Sequence, residues 1–594
     1  MPKIISFFSK NGSGEDIAST RAYKIFYALL PVICGALTAV PFLAGGLWFI
    51  SWFSLIPVIY RVFKYCHGEN LRWSYRCGFL FGLGYFLVMY HWFINFYPMD
   101  FAGLNEVESV GVIALCWLGL ATLQSIELGF VTLVYRLITP ASAKPWRRVL
   151  SFTACWSVFE WSQTLGWRGV PWGRLALSQW KALPLIQSAS LLGGVFVGAI
   201  MVAFGCVLAI GFISFREHRF GKVLRITASN ESSNSAECKE KRDLLSVVCG
   251  IWERIGSGIG SSARACICIA LGIFLLNFTF GIVRMAAYNE TAGEPIKAVA
   301  IQGNISSLDK WADNSLYNST KVHLELTRQA VEETGAELVL WAETAIPVTL
   351  DKYKSYKKQI AEVADEFDIT LIVGTFETTL NPETEELDDR NALIVFLPDG
   401  TELETRYYKR HLVPFAESLP MEGFIRTFLP VLVELNLIRD PLWQGTDANV
   451  METEIGNIGG IICYDSIFPA LSVDAVRNGA ELIAVSTNDS WFADSGALYQ
   501  HNHQSAMRAI ETGRYVLRSA NTGISSIITP EGEYLDQLAP LQSGYVSADI
   551  YMRSDATLYV IVGDLFVYIC LGFIAVSASA EILKKAYRNR DVER

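Results

Sequence analysis

Eight stretches of this chain are apolar and long enough to bear on a lipid bilayer, and no other feature constrains its fold as strongly. A helix crossing the hydrocarbon needs about 20 mostly apolar residues, because no water is there to satisfy exposed backbone groups. The stretches lie near 25–43, 45–61, 77–97, 109–135, 149–166, 189–214, 265–286 and 556–580. Pro41 and Gly45–Gly46 leave only a very short turn between the first and the second. The fifth is short and carries Glu160; without it the count is seven. The second stretch follows the first at once and no A-x-A-like cleavage site is evident, so the first reads as a retained helix rather than a signal peptide.

Charge in the connections tests the count, since Lys and Arg mark the cytoplasmic side of a membrane. The N-terminus carries Lys3, Lys10, Arg21 and Lys24, and the second connection Arg61, Lys64, Arg72 and Arg76. The fourth has Arg136, Lys144, Arg147 and Arg148, and the sixth, over 215–264, holds Arg216, Arg219, Lys222, Arg225, Lys239, Lys241 and Arg242. The chain closes with Lys584, Lys585, Arg588, Arg590 and Arg594. The third connection, DFAGLNEVE, has no Lys or Arg. Eight spans reconcile all of these, with both ends cytoplasmic and 296–550 outside; seven would put the ends on opposite sides. The fifth connection dissents with Arg168, Arg174 and Lys181, which makes those charges candidates for function on the outer face. The polar stretch ASNESSNSAECKEKRD (228–243) reads as a disordered cytoplasmic loop.

The chain divides into 1–295, 296–550 and 551–594. Residues 296–550 hold 18 Lys and Arg against 38 Asp and Glu, a net charge of −20, while the whole chain carries −10. An acidic domain is thus set in a basic, apolar frame, and its acidity argues against a nucleic-acid partner, which needs a basic surface. Eleven of the 12 cysteines lie outside this domain, mostly in or beside apolar runs where a thiol behaves as a small hydrophobe. Cys463 is alone in it, without a partner for a disulfide or a second thiol for zinc. It is either a buried core thiol or a reactive one.

Within 296–550 the pattern changes to short β-branched runs alternating with helical segments. Strands are expected at 297–302, 336–341, 369–375, 392–397, 458–463, 482–487 and 524–529, and helices at about 314–334, 354–367, 470–478 and 500–513. Strands this apolar are buried on both faces, so an α/β domain with helix-covered sheets is expected. Three reactive side chains end three such runs: Glu343 after ELVLWA, Lys409 after ETRYY and Cys463 after GGII. Ligands of open α/β sheets gather at strand carboxyl ends. There a thiolate can attack a carbonyl, a carboxylate can take the thiol proton, and an ammonium can hold the developing oxyanion. Singly, Lys409 in its Lys-Arg-His run reads as a solvated charge, and Glu343 as a helix cap, although Pro347 lies four residues on and the stretch TAIP is no helix start.

The blocks WAETAIP (341–347), YYKRHLVPFAE (407–417) and ICYDSIF (462–468) resemble the motif blocks of the nitrilase superfamily. More narrowly, they resemble those of the bacterial apolipoprotein N-acyltransferase family, as do QGNI with a following KW (302–305, 310–311), STNDSWFADS (486–495), QHNHQSAMRAIETGR (500–514) and ANTGIS (520–525). The resemblance implies a membrane α-helical bundle of about eight spans joined to a periplasmic nitrilase-like αββα sandwich, in the bacterial inner membrane. It implies that Glu343 is the general base, Lys409 the oxyanion-stabilising lysine and Cys463 the acyl-accepting nucleophile. Glu417, Tyr464, Trp311, Asn488 and Trp491 are expected to line the site, without a metal or cofactor. The implied reaction is ping-pong: an acyl chain passes from a phospholipid, usually phosphatidylethanolamine, to the cysteine, and from there to the α-amino group of an S-diacylglyceryl-cysteine on an apolipoprotein. Two positions depart from the family pattern. Asp465 stands where Glu is usual, and Ala416 where Gly is usual.

Two further segments stay open. GFIRTFLPVLVELNLIRDPLW (423–443) is either a buried helix or an arm dipping into the membrane interface. WRGVPWGRLALSQW (167–180), with Arg168 and Trp172, either binds a headgroup phosphate or forms an ordinary aromatic belt. His501 and His503 read as polar helix residues. The rival functions are a membrane-anchored amidase, in which water accepts the acyl group, a degenerate scaffold and a transporter. The last finds little support, since the spans carry few charges beyond Glu127 and Glu160.

Overall fold

In this computed structural model the residues described are 21–99, 103–229, 261–287, 293–306, 310, 312, 314–380, 385, 387–428 and 442–592. Trp311, nearly all of the polar stretch 228–243 and the middle of the greasy segment 423–443 lie outside them.

The N-terminal part is helical. Its main helices are α1 (Arg21–Leu43), α2 (Ile56–Tyr65), α3 (Leu71–Met89), α4 (Glu106–Ile138), α5 (Pro145–Ser162), α6 (Gly194–Ser229) and α7 (Ser261–Ala287). Local chemistry sets several starts. Asn105 accepts the N–H groups of Val107 and Glu108 while Glu108 accepts that of Asn105, a reciprocal cap on α4. Pro145 opens α5 at a position where a missing N–H costs nothing. Among the described residues five helices are long and apolar enough to cross a membrane: within α1, α4, α6, α7 and the C-terminal helix Leu565–Val592. The stretch expected at 45–61 is broken instead into a 3-10 turn at Gly45–Leu47, a short helix Ile50–Ser54 and α2. Pro57 has no N–H to give the Phe53 carbonyl, and the second break, at Leu55, falls beside that lost bond.

The rest builds two sheets. The first contains β1 (Ile296–Gln302), β2 (Leu338–Leu340), β3 (Ile346–Thr349), β4 (Thr370–Leu380), β5 (Leu387–Phe396), β6 (Tyr407–Tyr408) and β13 (Gly544–Ile550), in the order β13-β1-β2-β4-β5-β6 with β3 beside β4. The second contains β7 (Val450–Thr453), β8 (Gly456–Ile462), β9 (Leu482–Thr487), β10 (Val516–Ala520), β11 (Ser526–Ile528) and β12 (Tyr534–Gln537), in the order β12-β11-β10-β9-β8-β7. The longer helices that accompany them, among the described residues, are α8 (Ser315–Thr334), α9 (Lys354–Phe367), α10 (Pro469–Arg477) and α11 (Gly496–Thr512). The chain ends in α12 (Leu565–Val592).

The period-two alternation of strands shows the layering. Ala298 and Ala300 of β1 pack with Leu482 and Ala484 of β9 between the two sheets. Val299 and Ile301 point the other way, into a core with Val331 of α8 and Ile360 of α9. Ile483 and Val485 point away from the first sheet, into a core shared with Leu471 of α10, Met507 of α11 and the membrane-type helices. The order is therefore helix, sheet, sheet, helix, and the α10–α11 layer seats the domain on the helical bundle.

Candidate active site

Three turns at strand carboxyl ends meet in one place. Glu343 follows β2, Lys409 follows β6 and Cys463 follows β8. The turn carrying Glu343 presses on β4: a Cβ at Gly374 would sit 2.3 Å from the Ala342 carbonyl oxygen, so only glycine fits there. Cys463 has φ +50° and Thr344 φ +47°, left-handed values that a non-glycine residue adopts only where its surroundings enforce them.

Lys409 Nζ lies 2.9 Å from Glu343 Oε1 and 2.7 Å from Glu417 Oε1, and its side chain is 1% exposed. Glu343 Oε1 also accepts from Asn391 Nδ2 at 2.7 Å, and Glu343 Oε2 accepts the Asn488 backbone N–H at 2.8 Å. Glu417 Oε2 accepts the N–H of Val413 at 2.9 Å. Burial alone would raise the Glu343 carboxyl, but Lys409 above all, and then Lys310, hold it below the usual carboxylate range. Burial works against the Lys409 ammonium, yet Glu343 and Glu417 outweigh it and set its pKa well above that of an ordinary lysine. Burial, then the Glu343 charge, push the Cys463 thiol far up. The resting site is thus a neutral thiol beside an ionised carboxylate and a fixed ammonium.

The expected residues fall into three groups. Glu343, Lys409, Cys463, Glu417 and Asn488 come together, Asn488 through its backbone N–H. Asp465 and Tyr464 support the turn. Asp465 Oδ1 accepts the N–H of His411 at 2.7 Å, and Oδ2 accepts the Tyr407 hydroxyl at 2.8 Å and the N–H of Arg410 at 3.2 Å. The shorter carboxylate therefore clamps the strand that delivers Lys409. Tyr464 donates to the Gly169 carbonyl at 3.1 Å. The remaining three belong to the surroundings: Trp491 is 40% exposed and Arg168 is exposed, while Trp172 is buried. Trp172 Nε1 donates to Gln500 Oε1 at 2.7 Å and its ring stacks on His501 with centroids 5.4 Å apart. In the VPFAE turn the left-handed residue is Phe415 (φ +64°), so Ala416 does not occupy the position where a glycine's freedom is needed.

Several participants had no site role assigned from the sequence, although Lys310 and His501 lie in motif blocks. Lys310 is buried and its Nζ donates to the Glu343 backbone carbonyl at 2.8 Å. Asn391 comes from β5, directly after the charged Asp388-Asp389-Arg390 and before the apolar run that starts at Ala392, so nothing local set it apart. His501 is not the ordinary polar helix residue expected: it is buried, 2.8 Å from Asp489 Oδ1 and 3.0 Å from Ser466 Oγ. His503 is buried as well, stacked on Trp180. Ser466 in turn donates to the Cys463 carbonyl at 2.7 Å. Glu160 is a clamp on the fifth connection, accepting the Leu175 N–H at 2.9 Å.

A carboxylate, an ammonium and a thiol on a four-layer sandwich define a nitrilase-type domain, and residues 297–556 match the Carbon-nitrogen hydrolase family. Residues 34–207 match the Apolipoprotein N-acyltransferase N-terminal domain. Apolipoprotein N-acyltransferase of Geobacter metallireducens is 26% identical over 95% of this chain and 96% of its own length. That of Methylococcus capsulatus is 28% identical over 84% of this chain and 86% of its own. Among solved structures, Saccharomyces cerevisiae Nit3, a member of branch 10 of the nitrilase superfamily, aligns with 43% of this chain and 90% of its own at 20% identity and TM-score 0.31. The chain belongs to the apolipoprotein N-acyltransferase family.

Proposed function

We propose that the protein N-acylates the N-terminal S-diacylglyceryl-cysteine of apolipoproteins, taking the acyl chain from a phospholipid, phosphatidylethanolamine foremost, through a thioester on Cys463. The observation that carries this reading is the contact of buried Lys409 with both Glu343 and Glu417 beside the Cys463 thiol.

Glu343 takes the thiol proton as Cys463 Sγ attacks the ester carbonyl, and Lys409 holds the oxyanion of the tetrahedral intermediate. Glu343 returns the proton to the leaving lysophospholipid oxygen, which leaves a thioester. The acceptor amine then attacks the thioester, Glu343 removes the amine proton, and the Cys463 thiol is restored. Glu417 fixes the ammonium by its 2.7 Å contact. Exposed Arg168 suits a headgroup phosphate, whereas the burial of Trp172 supports a seat for the domain.

The reading extends to the chain's arrangement. Residues 1–295 form seven crossings with cytoplasmic loops, 296–550 a periplasmic catalytic domain, and 551–594 the eighth crossing and a basic cytoplasmic tail. The basic connections and the packing of α10 and α11 against the helical bundle support this arrangement.

Intact-protein mass spectrometry after incubation with phosphatidylethanolamine tests the reading. The expected result is a gain of one acyl chain, labile to hydroxylamine and absent in Cys463→Ala, with transfer to a diacylglyceryl-cysteine peptide. An adduct that only water discharges makes the protein an amidase or lipase instead, and no adduct overturns the nucleophile.

A further inference from the structure

Lys310 stands on the segment after β1 and is 2% exposed. A lysine ammonium is strongly hydrated, and burying one costs several kcal/mol unless charge and hydrogen bonds compensate. Among the described residues its hydrogen-bond acceptor is the Glu343 backbone carbonyl, at 2.8 Å. A carbonyl carries no net charge, so compensation must come from the anions nearby.

The charges in the site make that compensation mutual. Glu343 and Glu417 are two carboxylates, and Lys409 is a single ammonium between them. Burial, and then the Glu343 charge, raise the Glu417 carboxyl; with both carboxylates ionised, Lys409 alone would leave one negative charge unpaired before any thiolate or oxyanion formed. Lys310 supplies the second positive charge, and it feels both Glu343 and Cys463.

We propose that Lys310 is a positioning residue for acyl transfer: anchored on the Glu343 carbonyl, its charge balances the second carboxylate of the site and keeps Glu343 an anionic base facing Cys463. This rests on the reading of Glu343 as the base. The groups facing Lys310 are Glu343, Cys463, Lys409 and His323. His323 adds no charge near neutrality, because burial pushes it down to about 4. Burial pulls Lys310 itself down to about 8, against the opposing pull of Glu343. Its charge therefore disappears on the alkaline side of neutrality, and the balance goes with it.

The test is the pH profile of acyl-enzyme formation in the detergent-solubilised full chain, by intact mass with phosphatidylethanolamine, for wild type, Lys310→Arg and Lys310→Met. Lys310→Met is expected to move the acid limb up by about one pH unit, since an opposite charge within ~4–6 Å lowers a carboxyl by about 1–3 units. Lys310→Arg is expected to keep the wild-type acid limb and carry the alkaline limb above that of wild type, because arginine stays charged. Coincident alkaline limbs in wild type and Lys310→Arg overturn the proposal even if Lys310→Met does not fold, and so does an unmoved acid limb in Lys310→Met. Glu343→Gln separates the two readings. If it retains the wild-type acid limb, Glu343 is not the base; if it removes that limb while Lys310→Met leaves it in place, only the role of Lys310 falls.

Discussion

Glu511, in the last turn of α11, accepts the backbone N–H of Gly194, the first residue of α6, at 2.8 Å. The other carboxylate oxygen holds Arg508 at 2.7 Å, and Arg508 donates to the carbonyls of Ser466 and Ile467, just after the nucleophile. One buried pair thus ties the start of a membrane-type helix to the turn that carries Cys463. Glu511→Ala is expected to strand the Arg508 charge and lower stability by about 3–5 kcal/mol, the cost of removing one partner of a buried ion pair. Glu511→Gln keeps an acceptor for Gly194 and is expected to lose less. Thermal unfolding of the solubilised protein orders wild type, Gln and Ala in that sequence.

Removal of the base has a different signature. Glu343→Gln leaves Lys409 its contact with Glu417, so the site is expected to stay folded. Acyl-adduct formation is expected to slow by about 10²–10⁴-fold, the usual contribution of a positioned general base. A stopped time course with phosphatidylethanolamine reads this directly, and a wild-type rate would exclude Glu343 from proton transfer.

Asp465 makes stability depend on pH. Burial pushes its carboxyl up to about 6 in the folded chain, against about 3.9 for an unperturbed aspartate. Between those values the folded chain binds a proton that the unfolded chain releases. This group's contribution therefore grows as pH falls from 7 towards 4 and is lost as pH rises through about 6. Asp465→Asn is expected to flatten that part of the profile and to set an amide N–H against the donors Tyr407, Arg410 and His411. Thermal midpoints at pH 4.5 and 7 check it. Asp465→Glu, the usual family residue, adds a methylene to a fully buried spot and is expected to cost about 1–3 kcal/mol here.

Reactive groups at strand ends were legible because apolar β-branched runs announce themselves and polar residues at their ends stand out. The strands β1 and β9 lie within a residue of expectation for that reason. β10 was missed because VLRSA carries Arg518, an arginine buried against Asp489 that local pattern treats as exposed. β12 and β13 escaped because neither is an apolar run: most of their residues are at least partly exposed, and each carries an aspartate, Asp536 and Asp549. Lys310 and Asn391 escaped the site for a related reason: their roles depend on contacts 33 and 48 residues away in the chain. The span near 45–61 was expected to be whole because hydropathy does not register the missing N–H of Pro57.

Trp172 separates a structural seat from a lipid contact on the fifth connection. Its ring lies among Trp92, Phe492 and His501, with centroids at 5.6, 5.7 and 5.4 Å, and its N–H is bonded to Gln500. Trp172→Ala empties that volume and is expected to lower stability by about 3–5 kcal/mol, as for other large-to-small core changes. Trp172→Phe keeps most of the stacking and loses one hydrogen bond, at about 0.5–1.5 kcal/mol. If the ring only seats α11, Trp172→Phe leaves the KM for phospholipid unchanged while the thermal midpoint falls slightly. If the indole N–H instead served a headgroup, KM would rise without a change in midpoint. The 2.7 Å bond to buried Gln500 occupies that N–H and favours the first outcome.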